Sequence, residues 1–110
     1  ASGCTLETCK FRDKYDDLIG LNAVPIGVTS QTVEYNKEMT NRLGIPFDVL
    51  SDAKLELKDS LSLPIFSIKN KIYLKRLTLI IEKKIVKKVF YPIYSIEKHV
   101  DDIIVWLKEN

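Results

Sequence analysis

The chain has two cysteines, Cys4 and Cys9, and both lie close to its first residue. Cys4 stands where a helix is predicted to begin. The positive end of the helix dipole and the unpaired backbone N–H groups there favour a thiolate over a thiol. A free thiol has a pKa near ~8.5, and the thiolate is the form that attacks electrophiles. Cys4 is therefore a candidate nucleophile.

The spacing of the two cysteines places Cys9 more than one turn beyond Cys4 if the helix begins at about Thr5. Ideal helix geometry separates such Cα atoms by roughly 8 to 9 Å, and a disulfide tolerates about 7 Å without backbone movement. The first turn must therefore unwind before the two sulfurs can bond. A structural disulfide gains little stability from so short a loop, whereas a nucleophile with a resolving partner needs this reversible movement.

Length and composition indicate one small domain, residues 1–110, with 45% hydrophobic residues and a net charge of +2. This charge is too small to argue for nucleic-acid binding. The sequence shows no apolar run near the ~20 residues of a membrane span, and no signal peptide or lipidation motif. We therefore expect a soluble, cytoplasmic protein. In a reducing cytosol a close cysteine pair is more often catalytic or metal-binding than structural.

The elements that must position the cysteines follow from periodicity and from capping residues. Predicted helices span residues 5–19, 32–43, about 51–61 and a terminal segment capped by Ser95; predicted strands span 24–28, 47–50, 72–81 and 85–91. The last two strands form an antiparallel hairpin around the turn 82–84. The order α-β-α-β-α-β-β-α indicates an α/β fold with helices packed on a mixed sheet.

Four segments, taken in order, resemble peroxiredoxins of the Q type, also called bacterioferritin-comigratory proteins, a group within the AhpC/TSA-like redoxins. The segments are Gly3-Cys4-Thr5 with Cys9 and Phe11-Arg12-Asp13; Ile26-Gly27-Val28-Thr29-Ser30; Pro46-Phe47 with Leu50-Ser51-Asp52; and Arg76-Leu77-Thr78-Leu79-Ile80-Ile81. Together they cover nearly all of the chain, which makes the resemblance specific.

The resemblance implies a thioredoxin-like fold and a thiol peroxidase. Cys4 would be the peroxidatic cysteine that attacks a hydroperoxide, and Cys9 would be the resolving cysteine that condenses with the resulting sulfenic acid to an intramolecular disulfide. Arg76 matches the family's active-site arginine, which lowers the thiol pKa and holds a peroxide oxygen. Gly3 and Thr5 would contribute to substrate binding.

The same resemblance implies the partners of the reaction. Thioredoxin or a similar dithiol protein would reduce the disulfide, and neither a metal nor an organic cofactor is implied. The protein would act as a monomer or a homodimer.

The sequence departs from the family pattern in two places. The family has a threonine three residues before the nucleophile, and this position is Ala1. The family also has a central β-strand that leads into the Gly-Cys-Thr loop, and this strand is missing. The strands near 24–28 and 77–81 would then lack their shared partner. We therefore expect either that a longer protein contains this strand or that another chain supplies it.

Alternative functions belong to other classes. A non-catalytic or redox-sensing thioredoxin-fold module would keep the cysteines without turnover. A general disulfide oxidoreductase favours CxxC, where the sulfurs meet without unwinding. A zinc site needs more ligands than Cys4, Cys9 and His99 provide, and a cysteine protease needs a histidine partner and an oxyanion site.

Two further polar residues receive structural interpretations. His99, the only histidine, is expected to lie at a surface or boundary position without a special role. Arg12 is expected to form an ion pair with a carboxylate such as Asp13 or Asp16.

Overall fold

The computed structural model describes the backbone from Gly3 to Asn110 and the side chains from Leu6 onward. Its helices are α1 (Gly3–Asp13), α2 (Tyr15–Gly20), α3 (Val33–Leu43), α4 (Glu56–Leu61) and α5 (Ile96–Glu109). Its strands are β1 (Gly27–Thr29), β2 (Val49–Ser51), β3 (Ile65–Ile68), β4 (Lys71–Leu74), β5 (Thr78–Glu82) and β6 (Ile85–Phe90).

The predicted first helix, residues 5–19, is two helices joined at Lys14, and it begins earlier than expected, at Gly3. The backbone still bonds across the joint, because the amide of Lys14 donates to the Lys10 oxygen and the Leu18 amide donates to the Lys14 oxygen, each at 3.1 Å. The two helices therefore follow each other closely. Cys4 lies inside the first turn rather than at the cap.

The third helix has the limits that local signals predict. Thr32 is the N-cap, and its side chain accepts a hydrogen bond from the amide of Tyr35 at 3.1 Å. Gly44 ends the helix with φ of +62°, a conformation that only glycine adopts without strain. The prediction of a helix over 32–43 is confirmed.

The fourth helix begins later than predicted, at Glu56 rather than at Ser51 or Asp52. The Asp52 carboxylate nevertheless caps this helix from outside, because its two oxygens accept hydrogen bonds from the amides of Leu57 and Lys58 at 3.0 and 2.9 Å. The capping residue is thus identified correctly, and the intervening residues form a turn.

The strands pair in three separate two-stranded sheets within the described residues. β1 and β2 are parallel, whereas β3–β4 and β5–β6 are antiparallel hairpins. The predicted strand 72–81 is wrong in extent, because β4 ends at Leu74 and β5 starts at Thr78, and the hairpin partner β3 was not predicted. Among the described residues, β1 pairs with β2 and β5 pairs with β6, and no strand is hydrogen-bonded to both β1 and β5.

The centre of the core lies where α5 packs against α1, α2 and the β5–β6 hairpin. Leu18, Val100 and Ile103 are at most 3% exposed. The partly buried apolar side chains that pack against them are Phe11, Ala23, Ile80, Phe90, Ile104 and Leu107. Among the described residues, no helix combines the length and the apolar character that crossing a membrane requires.

Candidate active site

Both cysteines lie in the continuous helix α1, and the thiol of Cys9 is free and half-buried. The side chains of Gly3, Cys4 and Thr5 lie outside the described residues, so their predicted roles stay predictions. The wound backbone over Gly3–Asp13 supports the spacing argument, because a disulfide between positions 4 and 9 of an ideal helix requires unwinding.

Arg76 reaches the first half of this helix. Its Nε atom lies 3.3 Å from Oε2 of Glu7, a residue less than one turn beyond Cys4. The contact is an ion pair without an aligned hydrogen bond, since this buried Oε2 accepts none from the described residues. Arg76 is therefore held beside the helix that carries the candidate nucleophile.

The position of Arg76 in the chain differs from the prediction. It lies between β4 and β5 rather than within one long strand. The neighbouring Lys75 amide donates to the Pro64 oxygen at 2.9 Å, which extends the β3–β4 ladder by one pair beyond Ile65 and Leu74, so Arg76 follows directly after this hairpin. The break lets the arginine side chain turn toward α1.

Glu7 is the residue of this site that sequence reasoning missed. Its side chain is 19% exposed, and burial raises the pKa of its carboxyl, while the positive charge of Arg76 acts in the opposite direction. The available signal was an acidic residue three positions after the cysteine. An acidic residue near a helix N-terminus interacts favourably with the helix dipole, so Glu7 was interpreted only as a helix-stabilising residue.

The second half of α1 is anchored by other contacts. The Phe11 ring packs edge-on against Phe47 and His99, with centroids 6.5 and 6.0 Å away. Arg12 donates from Nη1 to the Leu43 oxygen at 2.6 Å, which caps the end of α3. The helix is thus fixed to three different elements beyond Cys9.

Arg12 also forms the predicted ion pair with Asp13, with Nε 3.1 Å from Oδ1. The expectation of a structural role for Arg12 is confirmed in this respect.

A second arginine, Arg42, lies within electrostatic reach of Cys9. The pKa of Arg42 is raised, chiefly by its hydrogen bond and charge interaction with Glu38. The Arg42 side chain is 55% exposed and donates to Glu38 at 2.8 Å. It faces water, which screens its field at the cysteine.

The predicted surface role of His99 is wrong, because its side chain is buried, at 3% exposure. The prediction rested on its place beside an apolar helical stripe. The tertiary contacts with the β5–β6 hairpin cover it instead.

No group of three or more His, Cys, Asp or Glu side chains in the described part of the chain could hold a metal ion.

Comparison with known proteins gives a family from sequence and a shared fold from structure. A sequence profile described as the AhpC/TSA family matches residues 1–89. The chain is 27% identical over 103 residues to the chloroplastic peroxiredoxin Q of Sedum lineare, which covers 91% of this chain and 53% of that protein. It is 26% identical over 106 residues to a putative peroxiredoxin bcp of Coxiella burnetii, which covers 93% of this chain and 70% of that protein.

Solved structures show the same fold. Peroxidoxin BcpB of Mycobacterium tuberculosis superposes with a TM-score of 0.87 at 23% identity, over 99% of this chain and 71% of that one. A mutant of peroxiredoxin Q from Xylella fastidiosa also gives 0.87, at 18% identity, over 99% and 69% of the two chains. The chain spans about half the length of the first of the curated relatives. The named relatives are peroxiredoxins of the Q or bacterioferritin-comigratory type, and the chain shares their thioredoxin-like fold; with a profile match over most of its length, it belongs to the AhpC/TSA family.

Proposed function

We propose that the protein is a thiol peroxidase in which Cys4 reduces a hydroperoxide and Cys9 resolves the product. The observation that carries this proposal is the Arg76–Glu7 ion pair, which holds a guanidinium beside the helix that contains both cysteines. Gly3 and Thr5 remain candidates for substrate binding at the same helix start. Ala1 occupies the position of the family threonine, so one hydroxyl of the usual pocket is replaced.

The proposed chemistry has two steps in the protein. The Cys4 thiolate attacks one oxygen of the peroxide, an S–O bond forms as the O–O bond breaks, and the departing oxygen takes a proton to leave as water or an alcohol. The sulfur is oxidised to a sulfenic acid. The Cys9 thiolate then attacks this sulfur, an S–S bond forms, and the sulfenic oxygen leaves as water.

The second step requires movement of α1 and a Cys9 thiolate. The helix must unwind, because the wound form keeps positions 4 and 9 too far apart for an S–S bond. A dithiol protein such as thioredoxin then reduces the disulfide by exchange, which regenerates both thiols.

The name of one structural relative agrees with this substrate class. Alkyl peroxide reduction activity is described for the Xanthomonas campestris bacterioferritin comigratory protein, whose structure superposes with a TM-score of 0.85. We extend hydroperoxide reduction to this chain as a proposal. The predicted single domain, monomeric or dimeric state and cytoplasmic location stay predictions, and the named relatives include chloroplastic proteins.

A coupled assay tests the proposal. NADPH consumption is followed with thioredoxin, thioredoxin reductase and either hydrogen peroxide or an alkyl hydroperoxide. We expect Cys4→Ser to lose turnover by at least ~100-fold, because the proposed mechanism makes the Cys4 sulfur the nucleophile. Cys9→Ser serves as the matched control, since it should consume one equivalent of peroxide and then stop under the same reductant.

The redox-sensing module is the second candidate, favoured by Ala1 in place of the family threonine. A wild-type protein that forms the Cys4–Cys9 disulfide with peroxide but supports no NADPH consumption would indicate the sensor. Turnover that survives Cys4→Ser would contradict both proposals.

A further inference from the structure

A partly buried hydrogen bond connects the last helix to the start of β5. The Thr78 hydroxyl and Nε2 of His99 are 2.6 Å apart, and His99 is 3% exposed. The proposed peroxidase chemistry uses neither residue. The bond gives the buried imidazole a partner and ties the start of β5 to α5.

The position of Thr78 in the chain links this bond to Arg76. Thr78 is the first residue of β5 and lies two residues after Arg76. Only Leu77 separates Arg76 from this strand, so the position of the β5 start constrains where the Arg76 backbone lies. The side chains of Arg76 and Thr78 both contact helices, the first meeting Glu7 on α1 and the second meeting His99 on α5.

The His99 ring also touches the helix that carries the cysteines. Its centroid lies 6.0 Å from that of Phe11 on α1 and 5.7 Å from that of Phe90 on β6, both in edge-on geometry. One side chain thus contacts α1, β5 and β6 from α5. Any shift of the β5 start relative to α1 would disturb these contacts.

We propose that His99, through Thr78, is a positioning residue that fixes Arg76 relative to the cysteine helix. This inference rests on the proposed function, because Arg76 matters to the reaction only if it acts on the Cys4 thiol. The Thr78–His99 hydrogen bond would keep the Arg76 guanidinium within ion-pair distance of Glu7 on α1. A loosened β5 start would weaken the field of Arg76 at the thiol.

The charge state of His99 is compatible with this role. Burial lowers the pKa of the imidazole, and the nearby carboxylate of Asp102 acts in the opposite direction. The other charged or titratable groups around the cavity that His99 borders are Lys88 of β6, Tyr91 and Tyr94 of the following loop, and Lys98 of α5. The α1 and β5 contacts described here, Phe11 and Thr78, carry no charge. A neutral imidazole has one acceptor nitrogen, which the Thr78 hydroxyl can use.

The test measures the thiol pKa of Cys4 in a Cys9→Ser background, where a single thiol is alkylated at a series of pH values. Thr78→Val removes the hydroxyl at nearly constant shape, and Thr78→Ser retains it. We expect the alkylation rate of Thr78→Val near pH 6 to fall about 5-fold or more, because the thiolate fraction falls as the thiol pKa rises. Thr78→Ser should restore the wild-type profile, and His99→Gln should shift it in the same direction as Thr78→Val.

A core variant separates positioning from general stability. Ile103→Val, in α5 with His99, destabilises the core and leaves the hydrogen-bonding groups of Thr78 and His99 in place. Compared at temperatures equally far below each unfolding midpoint, Ile103→Val should keep the wild-type thiol pKa. A Thr78→Val protein that is destabilised but keeps an acidic thiol would overturn the positioning role alone. A wild-type thiol that titrates near ~8.5 would instead contradict the activation by Arg76, and with it the proposed function.

Discussion

At the scale of single residues, the buried carboxylate of Glu7 links the proposed site to pH. Burial raises its pKa above the ordinary value of 4.5 despite the nearby Arg76. The folded protein therefore binds this proton more tightly than the unfolded chain does. Protonation of Glu7 therefore contributes to the unfolding free energy. This contribution is fully present below pH 4.5 and is lost as pH rises through the pKa of the folded protein.

We expect Glu7→Gln to remove this dependence. The difference in unfolding free energy, variant minus wild type, should increase as pH rises from 4 to 8. At the higher pH the wild type is destabilised by a buried carboxylate charge, which glutamine does not carry. Urea unfolding at several pH values measures this difference. Asp13→Asn, at an exposed carboxylate of the same helix, is the control and should show no comparable slope. A Glu7→Gln difference that is flat or falls with pH would contradict the interpretation.

His99 gives a dependence of opposite sign. Its folded pKa lies below the ordinary value of 6.5, so the unfolded chain binds this proton more tightly. The neutral form of His99 therefore contributes to the unfolding free energy. This contribution is fully present above pH 6.5 and is lost as pH falls through the pKa of the folded protein. We expect His99→Gln to be less stable than wild type at pH 7.5, with a gap that narrows toward pH 5. Chemical unfolding at both pH values checks this, and a gap that widens on acidification would rule it out.

At the scale of elements, short-range signals account for what the sequence predicted well. The Thr32 and Ser95 caps and the glycine at 44 act within a few residues, so the starts of α3 and α5 and the end of α3 could be predicted. The turn at 82–84 was also correct, although Lys83 and Lys84 both adopt positive φ angles.

The predictions fail where contacts between distant parts of the chain determine the local structure. The β3–β4 hairpin turns at Lys69 and Asn70, with φ of 50° and 64°. Neither residue is a glycine, so the usual sequence signal for such a turn is weak. Within the site, the cysteine positions are readable because they lie within one helix. The pairing of Glu7 with Arg76 and the burial of His99 required the packing of α1 and α5 against the strands, which no local pattern encodes.

The capping of α4 gives a prediction at this scale. Asp52 is 8% exposed, and its carboxylate satisfies two amides of a helix with only six residues. We expect Asp52→Ala to lower the unfolding free energy by about 1–2 kcal/mol, the usual cost of losing such a cap. Asp52→Asn should recover part of this loss, since one amide oxygen can still accept. Thermal or urea unfolding measures both variants, and an Asp52→Ala protein as stable as wild type would refute the capping role.

At the scale of the whole molecule, α1 is held differently along its length. Its first half meets the rest of the described protein through the Glu7–Arg76 ion pair. Its second half is held by the Phe11 ring contacts and by the hydrogen bond from Arg12 to Leu43. Unwinding that brings position 4 to Cys9 therefore breaks the first set of contacts and can leave the second intact.

We expect the unwound segment of the oxidised protein to end between Cys9 and Phe11. Hydrogen exchange followed by mass spectrometry should show amides in the first two turns of α1 exchanging at least ~10-fold faster after peroxide treatment, because local opening exposes them. The amide of Lys14 bonds to Lys10, at the expected boundary, and the amide of Leu18 bonds to Lys14, beyond it, so both should keep their protection.

Two variants test whether the contacts of α1, rather than oxidation alone, set where the unwinding stops. Cys9→Ser cannot form the disulfide, so peroxide should leave its exchange in α1 unchanged. Phe11→Ala removes the ring contacts to Phe47 and His99, and the faster exchange of its oxidised form should then reach Lys14. If oxidised wild-type protein already loses protection at Lys14 and Leu18, the second half of α1 is not an anchor, and closure of the disulfide must involve the junction with α2 as well.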